Sequence, residues 1–446
     1  MKTRFFFILS AALLLSACGT LEVSMQQTPQ DAPPAASAAP SPIPATPEAV
    51  QRTILVAYVK EGNVYLWDEA TGQSRAVFTS GDADSVTLSD DGRVIAFSRR
   101  SFRDQPEPRE DHALWAVDQD GRNPRELVAA DELRRRLNTP EQDSTGFDEL
   151  KWVPGTHRLV YTASSYYLPG QAFSLSPDVY LVDADTRADG VLAPAAVGDP
   201  TASVLLIPSP DGRQLAILSN TILSLINMDG SDWRPSVQTY AAVSRGDSHG
   251  VLVRGVWTQD SSAFLVTGPT SLDPYNDIDF TIWRVPADGS APESLASVAK
   301  SHPGSVTFSP DGRYFAYVQY GDEQLEPLGW FISPFPGSVG PLAISHLIDL
   351  TGYTSLHWSP AGDAFTRDLI KLCPRATKDT DGCDAPLSFF GGPIGALQWM
   401  DGSRLIYLGR DAPVLYLGSL DGKATPIVTW SQPDISHSFS AAFASQ

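Results

Sequence analysis

Cysteine is scarce: three residues in 446, at positions 18, 373 and 383. That count excludes a disulfide-dense scaffold, and the absence of any Cys-x-x-Cys pair excludes a zinc ribbon. The seven histidines, His112, His157, His249, His302, His346, His357 and His437, stand singly, so no His-Glu-x-x-His metal helix exists. No Gly-x-Ser-x-Gly elbow, P-loop or Gly-x-Gly-x-x-Gly turn is present either. Basic charge is short, 32 Lys and Arg against 52 Asp and Glu, for a net charge of −20. A chain this acidic repels nucleic acid and anionic headgroups, so its partners are expected to be neutral, cationic or metal-bearing.

The apolar stretch near the N-terminus, Phe5 to Leu15, has 11 residues, well short of the roughly 20 that span a bilayer as a helix. Preceded by Lys2 and Arg4, it reads as a signal peptide over 1–17. It ends in Leu15-Ser16-Ala17-Cys18, which resembles the lipobox of bacterial lipoproteins. The resemblance implies cleavage before Cys18, acylation of that cysteine, and an envelope location on the extracytoplasmic side of a bacterial membrane. Loss of the leader leaves 30 basic against 52 acidic residues, −22. From 18 to 52 the chain is rich in Pro and Ala without apolar periodicity, the composition of a disordered tether.

What fills 53–446 is a repeat. Seven segments share an apolar or aromatic anchor, a tight polar turn and a short apolar run. They are Leu88-Ser-Asp-Asp-Gly-Arg-Val-Ile-Ala-Phe97, Trp152-Val-Pro-Gly-Thr-His-Arg-Leu-Val-Tyr161, Pro208-Ser-Pro-Asp-Gly-Arg-Gln-Leu-Ala-Ile217 and Trp257-Thr-Gln-Asp-Ser-Ser-Ala-Phe-Leu-Val266, then Phe308-Ser-Pro-Asp-Gly-Arg-Tyr-Phe-Ala-Tyr317, Trp358-Ser-Pro-Ala-Gly-Asp-Ala-Phe-Thr-Arg367 and Trp399-Met-Asp-Gly-Ser-Arg-Leu-Ile-Tyr-Leu408. A second apolar run and an Asp-Gly type turn follow most of them, as at Asp120-Gly121 and Asp229-Gly230, a strong hairpin signal. Spacing of about 40 to 60 residues with four strands per repeat predicts an all-β chain, a single β-propeller of four-stranded blades. Ile54 to Phe78 supplies three strands without a first, and Ser436 to Phe443 is a lone strand at the other end. Together they predict a composite blade closed by the N- and C-terminal strands, for eight blades, with seven as the alternative.

The Ser-Pro-Asp-Gly-Arg pattern at 209–213 and 309–313 resembles the WD40-like, or PD40, repeats of the TolB propeller, which also occur in propellers of prolyl-oligopeptidase-type enzymes. The resemblance covers about 390 residues and implies architecture. TolB's small α/β domain has no counterpart, and the tether stands in its place. No hydrolase domain is expected, since the repeats run almost to Gln446.

The motif aspartates, such as Asp211 and Asp311, are expected to cap their own turns. Asp273, Asp277 and Asp279 offer oxygen ligands for Ca²⁺, as does the acidic stretch 379–384, but the spacing is not that of an EF-hand and a solvated loop is the expectation. Cys373 and Cys383 flank a polar loop and are expected to form a disulfide. Asp131 to Asn138 predicts one short helix whose arginines form a solvated face. Aromatic segments outside the strand pattern, with Tyr166, Tyr167, Trp330, Phe331, Phe335, Phe389 and Phe390, are ligand-binding candidates or plugs for the channel. The expected function is a non-catalytic, monomeric binding or scaffold module for an envelope protein, peptide or glycan, with no cofactor. The alternative is a carbohydrate-active enzyme, a lyase or hydrolase with its site in the channel.

Overall fold

The computed structural model describes residues 52–103, 109–140, 143–167, 172–197, 204–219, 221–241, 253–270, 279–298, 301, 306–310, 312–320, 327–335, 356–360, 362, 364–367, 371–374, 394–409, 413–420, 423–430 and 438–445. The chain divides into Met1–Val50, which lies outside the described residues and includes Cys18, and the body Gln51–Gln446. Among the described residues the body is almost entirely β, with a single helix.

The first sheet joins the two ends of the body. β1 (Ile54–Lys60), β2 (Asn63–Asp68) and β3 (Gln73–Thr79) form an antiparallel meander. The C-terminal strand Phe439–Phe443 lies along the other edge of β1, with Ile54 opposite Phe443 and Tyr58 opposite Phe439. The expected complementation of the N-terminal strands by the C-terminal run is therefore present. The following units are β4 (Ala83–Leu88), β5 (Val94–Arg103), β6 (Arg109–Asp118) and β7 (Arg125–Val128), then α1 (Ala130–Leu137), then β8 (Ser144–Trp152), β9 (Arg158–Tyr167), β10 (Ala172–Leu175), β11 (Val179–Asp183) and β12 (Asp189–Ala193). A parallel bridge between Asp111 and Thr145 links these two meanders into one sheet.

Four-stranded meanders also run over Leu205–Pro208, Gln214–Leu218, Ile222–Asn227 and Arg234–Thr239, and over Gly255–Trp257, Ala263–Pro269, Phe280–Pro286 and Glu293–Val298. Three described strands each make up Thr307–Phe308, Tyr314–Tyr320 and Pro327–Pro334, and Leu356–Trp358, Ala364–Arg367 and Lys371–Pro374. The last meander is Ile394–Trp399, Arg404–Gly409, Val414–Ser419 and Ala424–Thr429.

β1 shows why the units stack face to face. Successive side chains of a strand point to opposite faces, and β1 is buried on both. Leu55, Ala57 and Val59 pack with Leu88, Ile95 and Phe97 of the following unit. Ile54, Val56 and Tyr58 pack with Ile406, Leu415 and Trp430 of the last meander, where Phe439, Ala441 and Phe443 join them. A continuous apolar run thus serves two interfaces at once, so each unit has the core of a layer and no independent core of its own.

The polar turn between the first two strands of a unit is self-capped, as expected. At 209–213 the Ser209 hydroxyl donates to Asp211 Oδ1 at 2.7 Å, Arg213 N donates to the same oxygen at 3.1 Å, and Gly212 N donates to the Ser209 carbonyl at 2.9 Å. The turns at 89–93 and 258–262 repeat this geometry, with Asp91 and Asp260 as acceptors. Ser209 is fully buried, so the aspartate gives its hydroxyl the partner that water would otherwise supply. Asp311 lies outside the described residues.

The helix forms where expected, but its arginines do not make a solvated face. Arg134 pairs with buried Asp111, and Arg136 reaches Asp189 at 2.5 Å, the Tyr161 hydroxyl and Glu132 at 2.6 Å. Only Arg135 of the three is largely exposed. The helix buries Leu133 on the seam between the second and third units, and that docking carries the neighbouring guanidinium groups onto the acids of β6 and the residue opening β12. Of the expected disulfide, Cys373 sits on the strand Lys371–Pro374 opposite Phe365, while Cys383 lies outside the described residues.

Candidate functional site

A polar groove of about 710 Å³ opens at the end of the units where these turns lie. Its walls come from four places in the chain: Arg52 before β1, Asp90 and Asp91 between β4 and β5, Gly155 to His157 between β8 and β9, and Asp185 after β11. Phe443, Ala444 and Ser445 complete it from the C-terminal strand. Chain entry, chain exit and two successive repeats thus converge on one site.

His157 is its centre. The imidazole Nε2 lies 3.1 Å from Asp91 Oδ2 and Nδ1 lies 2.9 Å from Asp185 Oδ2. With a carboxylate on each ring nitrogen, only the imidazolium, a donor at both, satisfies the arrangement. Burial would lower the imidazole pKa, but the hydrogen bonds and charges of Asp185 and Asp91 outweigh it, and the net shift is upward. Burial likewise raises Asp91, and its bonds from Ser89, the Arg93 amide and His157 more than reverse this, holding its carboxyl below the usual range. The two carboxylates sit on opposite sides of the ring, so the three groups do not converge on a point where one cation could sit. Among the described residues no cluster of three or more His, Cys, Asp or Glu side chains is arranged to hold a metal.

Neighbouring contacts stiffen the groove. Asp90 Oδ2 accepts the Gly155 amide at 2.7 Å, tying the second unit's turn to the third's. Arg93 Nε donates to Ser445 Oγ at 3.0 Å. Arg125 donates to the Ala184 carbonyl and pairs with Asp118 at 2.8 Å, with its other nitrogen 3.8 Å from Asp185. The guanidinium of exposed Arg52 lies 4.2 Å from the Phe443 ring centroid, a cation–π stack on the groove wall. The site can bind a polar ligand of a few residues or rings through fixed cations, carboxylates and one aromatic face.

Sequence reasoning did not single out this cluster. Its signal is the degenerate copy Trp152-Val-Pro-Gly-Thr-His-Arg, in which His157 occupies the place of Arg213 and Gly155 that of Asp211. The departure from the repeat, more than the repeat itself, marks the site.

The aromatic candidates fall elsewhere and in different units. Tyr166 is half-buried near the end of β9, opposite Ser144, with a ring atom 3.6 Å from where a Cβ on Gly146 would stand. Burial and the charges of Glu110, Asp111 and Asp84 push its hydroxyl up to about 12. Tyr167 closes β9 opposite Ala172. Phe331 stacks on Tyr317 at 5.6 Å, and Phe335 lies against Phe308 and Phe315 at 6.2 and 5.2 Å, so these rings pack on neighbours. Trp330 stands opposite Val318 in the ladder. Phe389 and Phe390 lie outside the described residues, as do Asp273 and Asp277. The Asp279 carbonyl accepts the amide and hydroxyl of Thr270 at 2.9 and 3.0 Å, fastening the base of that acidic loop.

No protein-family model matches the chain. No curated protein matches it either. Solved structures do. Dipeptidyl peptidase 4 of Porphyromonas gingivalis is similar over 82% of this chain and 56% of its own, at 12% identity and a TM-score of 0.50. The β-propeller domain of the trilobed protease of Pyrococcus furiosus is similar over 79% and 98%, at 12% identity and a TM-score of 0.42. A TolB-like protein of Agrobacterium tumefaciens is similar over 58% and 95%, at 17% identity and a TM-score of 0.28. This chain spans about half the length of the dipeptidyl peptidase. At these identities the likeness establishes the β-propeller fold alone. It also corrects the expectation of a chain that catalyses nothing: a dipeptidyl peptidase is among the similar structures, so the fold provides no ground for excluding catalysis.

Proposed function

We propose that this chain is a lipid-anchored, extracytoplasmic β-propeller of eight blades that binds an envelope protein, peptide or glycan in the groove around His157. The observation that carries the reading is the groove: a concave site built from five separate chain segments, with charged groups already held in place and an aromatic face among them. Preorganised polar groups on a stiff scaffold lower the ordering cost of binding. The lipobox ending at Cys18 and the Pro- and Ala-rich segment after it support presentation of the body away from a membrane surface. Eight blades follow from taking the two linked meanders as two blades beside six further sheets.

The test is site-resolved photocrosslinking in the native envelope. A photoreactive residue replacing Ser445, in the groove, is expected to capture a discrete protein or glycan adduct. The same residue replacing exposed Gln73, on the outer edge of the first sheet, is expected to capture none of it. Equal capture from both positions would dismiss the groove as the binding site.

A further inference from the structure

We infer that the Asp91–His157–Asp185 triple is a proton-controlled latch, closed when His157 is an imidazolium, that ties the second and third units together and sets the wall of the groove. This rests on the groove reading above and adds to it the regulation of that site. The three groups come from three separate turns: Asp91 before β5, His157 before β9, Asp185 after β11. Their distances of 3.1 and 2.9 Å are those of direct charge-assisted hydrogen bonds. A neutral imidazole has one N–H and can donate to only one of the two carboxylates. Its other nitrogen then faces an oxygen lone pair across about 3 Å, so one half of the latch turns repulsive.

The surrounding charges do not replace the lost donor. Arg93, from the turn of Asp91, is 3.7 Å from Asp91 Oδ2 and donates to Ser445. Asp90 is held by the Gly155 amide. Arg125 of β7 approaches Asp185 only to 3.8 Å and directs its close bonds to Ala184 and Asp118. Arg158, next in the chain, turns toward the Met228 carbonyl, and Asp183 Oδ1 is taken by the amides of Asp185 and Thr186. Arg52 is stacked on Phe443. The latch therefore depends on a single proton.

The direction follows from the shifts. His157 has a raised folded pKa, so its stabilisation is full below the ordinary value of 6.5 and is lost as pH rises through the folded value. Asp91 has a lowered one, so its contribution is present above 3.8 and lost as pH falls through its folded value. The latch is closed in mildly acidic medium and releases on the alkaline side.

The experiment follows the histidine signals of the full-length protein by NMR between pH 5 and 9, with His157 assigned as the signal missing from His157→Gln. A midpoint above 6.5 that falls in Asp185→Asn is expected. A midpoint at or below 6.5, or one unmoved in Asp185→Asn, overturns the latch. Hydrogen exchange gives a structural readout: protection factors at Gly155 and Thr156 are expected to fall several-fold between pH 6 and 8.5 in the parent and stay level in His157→Gln. Equal falls in both proteins also overturn it. Should the crosslinking from Ser445 fail while the titration holds, the ligand reading falls and the latch stands.

Discussion

Gln398 and Ala441 exchange two hydrogen bonds: Gln398 Nε2 donates to the Ala441 carbonyl at 2.8 Å, and the Ala441 amide donates to Gln398 Oε1 at 3.1 Å. One side-chain amide from the last meander thereby serves as the neighbouring strand for the inner edge of the C-terminal strand. Ser438 and Ser440 add a third side, accepting through their hydroxyls the amides of Val86 and Leu88 at 2.9 and 3.0 Å. The strand is thus held by β1, by β4 and by Gln398.

Removal of this strand should be felt throughout the body. Deleting 434–446 strips the ladder from β1 and uncovers Ile54, Val56 and Tyr58, exposing a strand edge and apolar surface together. A lower melting temperature or aggregation is expected, whereas deletion of 20–45 should leave melting unchanged. Gln398→Ala is the gentler probe, expected to cost about 1–3 kcal/mol in urea unfolding for the backbone groups it leaves unpaired.

Arg404 is the buried charge that closes the same seam. Its Nη1 contacts both oxygens of Glu69 at 2.9 and 2.7 Å, its Nε donates to Asp401 at 2.8 Å, and its Nη2 donates to the Arg52 carbonyl at 2.8 Å. Arg404→Met leaves two partly shielded carboxylates without their cation. Because both retain some solvent, the expected loss lies at the lower end of the range for a broken buried pair, about 3 kcal/mol by urea unfolding. Arg404→Lys keeps the charge without the planar fork and should recover only part of it.

Two turn glycines should differ when changed to alanine. Gly212 has φ +68° and a Cβ there would stand 2.3 Å from the Pro154 carbonyl oxygen of the preceding unit. Gly155 has φ +70°, with nothing within 4 Å of its would-be Cβ. Gly155→Ala should cost about 1 kcal/mol of backbone strain alone. Gly212→Ala must also push two units apart, and thermal unfolding should show the larger drop.

Cys18→Ala tests the anchor. The substituted protein is expected to keep the parent's melting temperature and to move from the membrane fraction to the soluble one. Retention in the membrane after leader cleavage would remove the lipid from the account.

Much of this architecture is legible in residue order because a propeller is a short-range repeat. The Ser-Pro-Asp-Gly-Arg turn at 209–213 caps itself within five residues, through Ser209, Asp211 and Arg213. Among the described residues, runs of alternating or continuous apolar residues such as Ile54 to Val59 and Leu215 to Leu218 fall on strands. Even the pairing of Ile54 with Phe443, across nearly the whole body, is foreshadowed by strands left over at both ends. The arginines of α1 were not readable in the same way. A basic run on a short helix looks solvated until Leu133 docks and swings Arg134 and Arg136 onto Asp111 and Asp189.

By itself, the sequence determined the all-β class, the strand units with their turns, and the acidic character of the surface, since each depends on neighbours within a few tens of residues. Only the tertiary structure decided the site. His157 lies 66 residues from Asp91 and 28 from Asp185, all three in turns that local chemistry would have formed wherever they lay. What brings the three within hydrogen-bond reach is the face-to-face stacking of the second and third units. That placement depends on apolar surface buried between sheets, which no local pattern records.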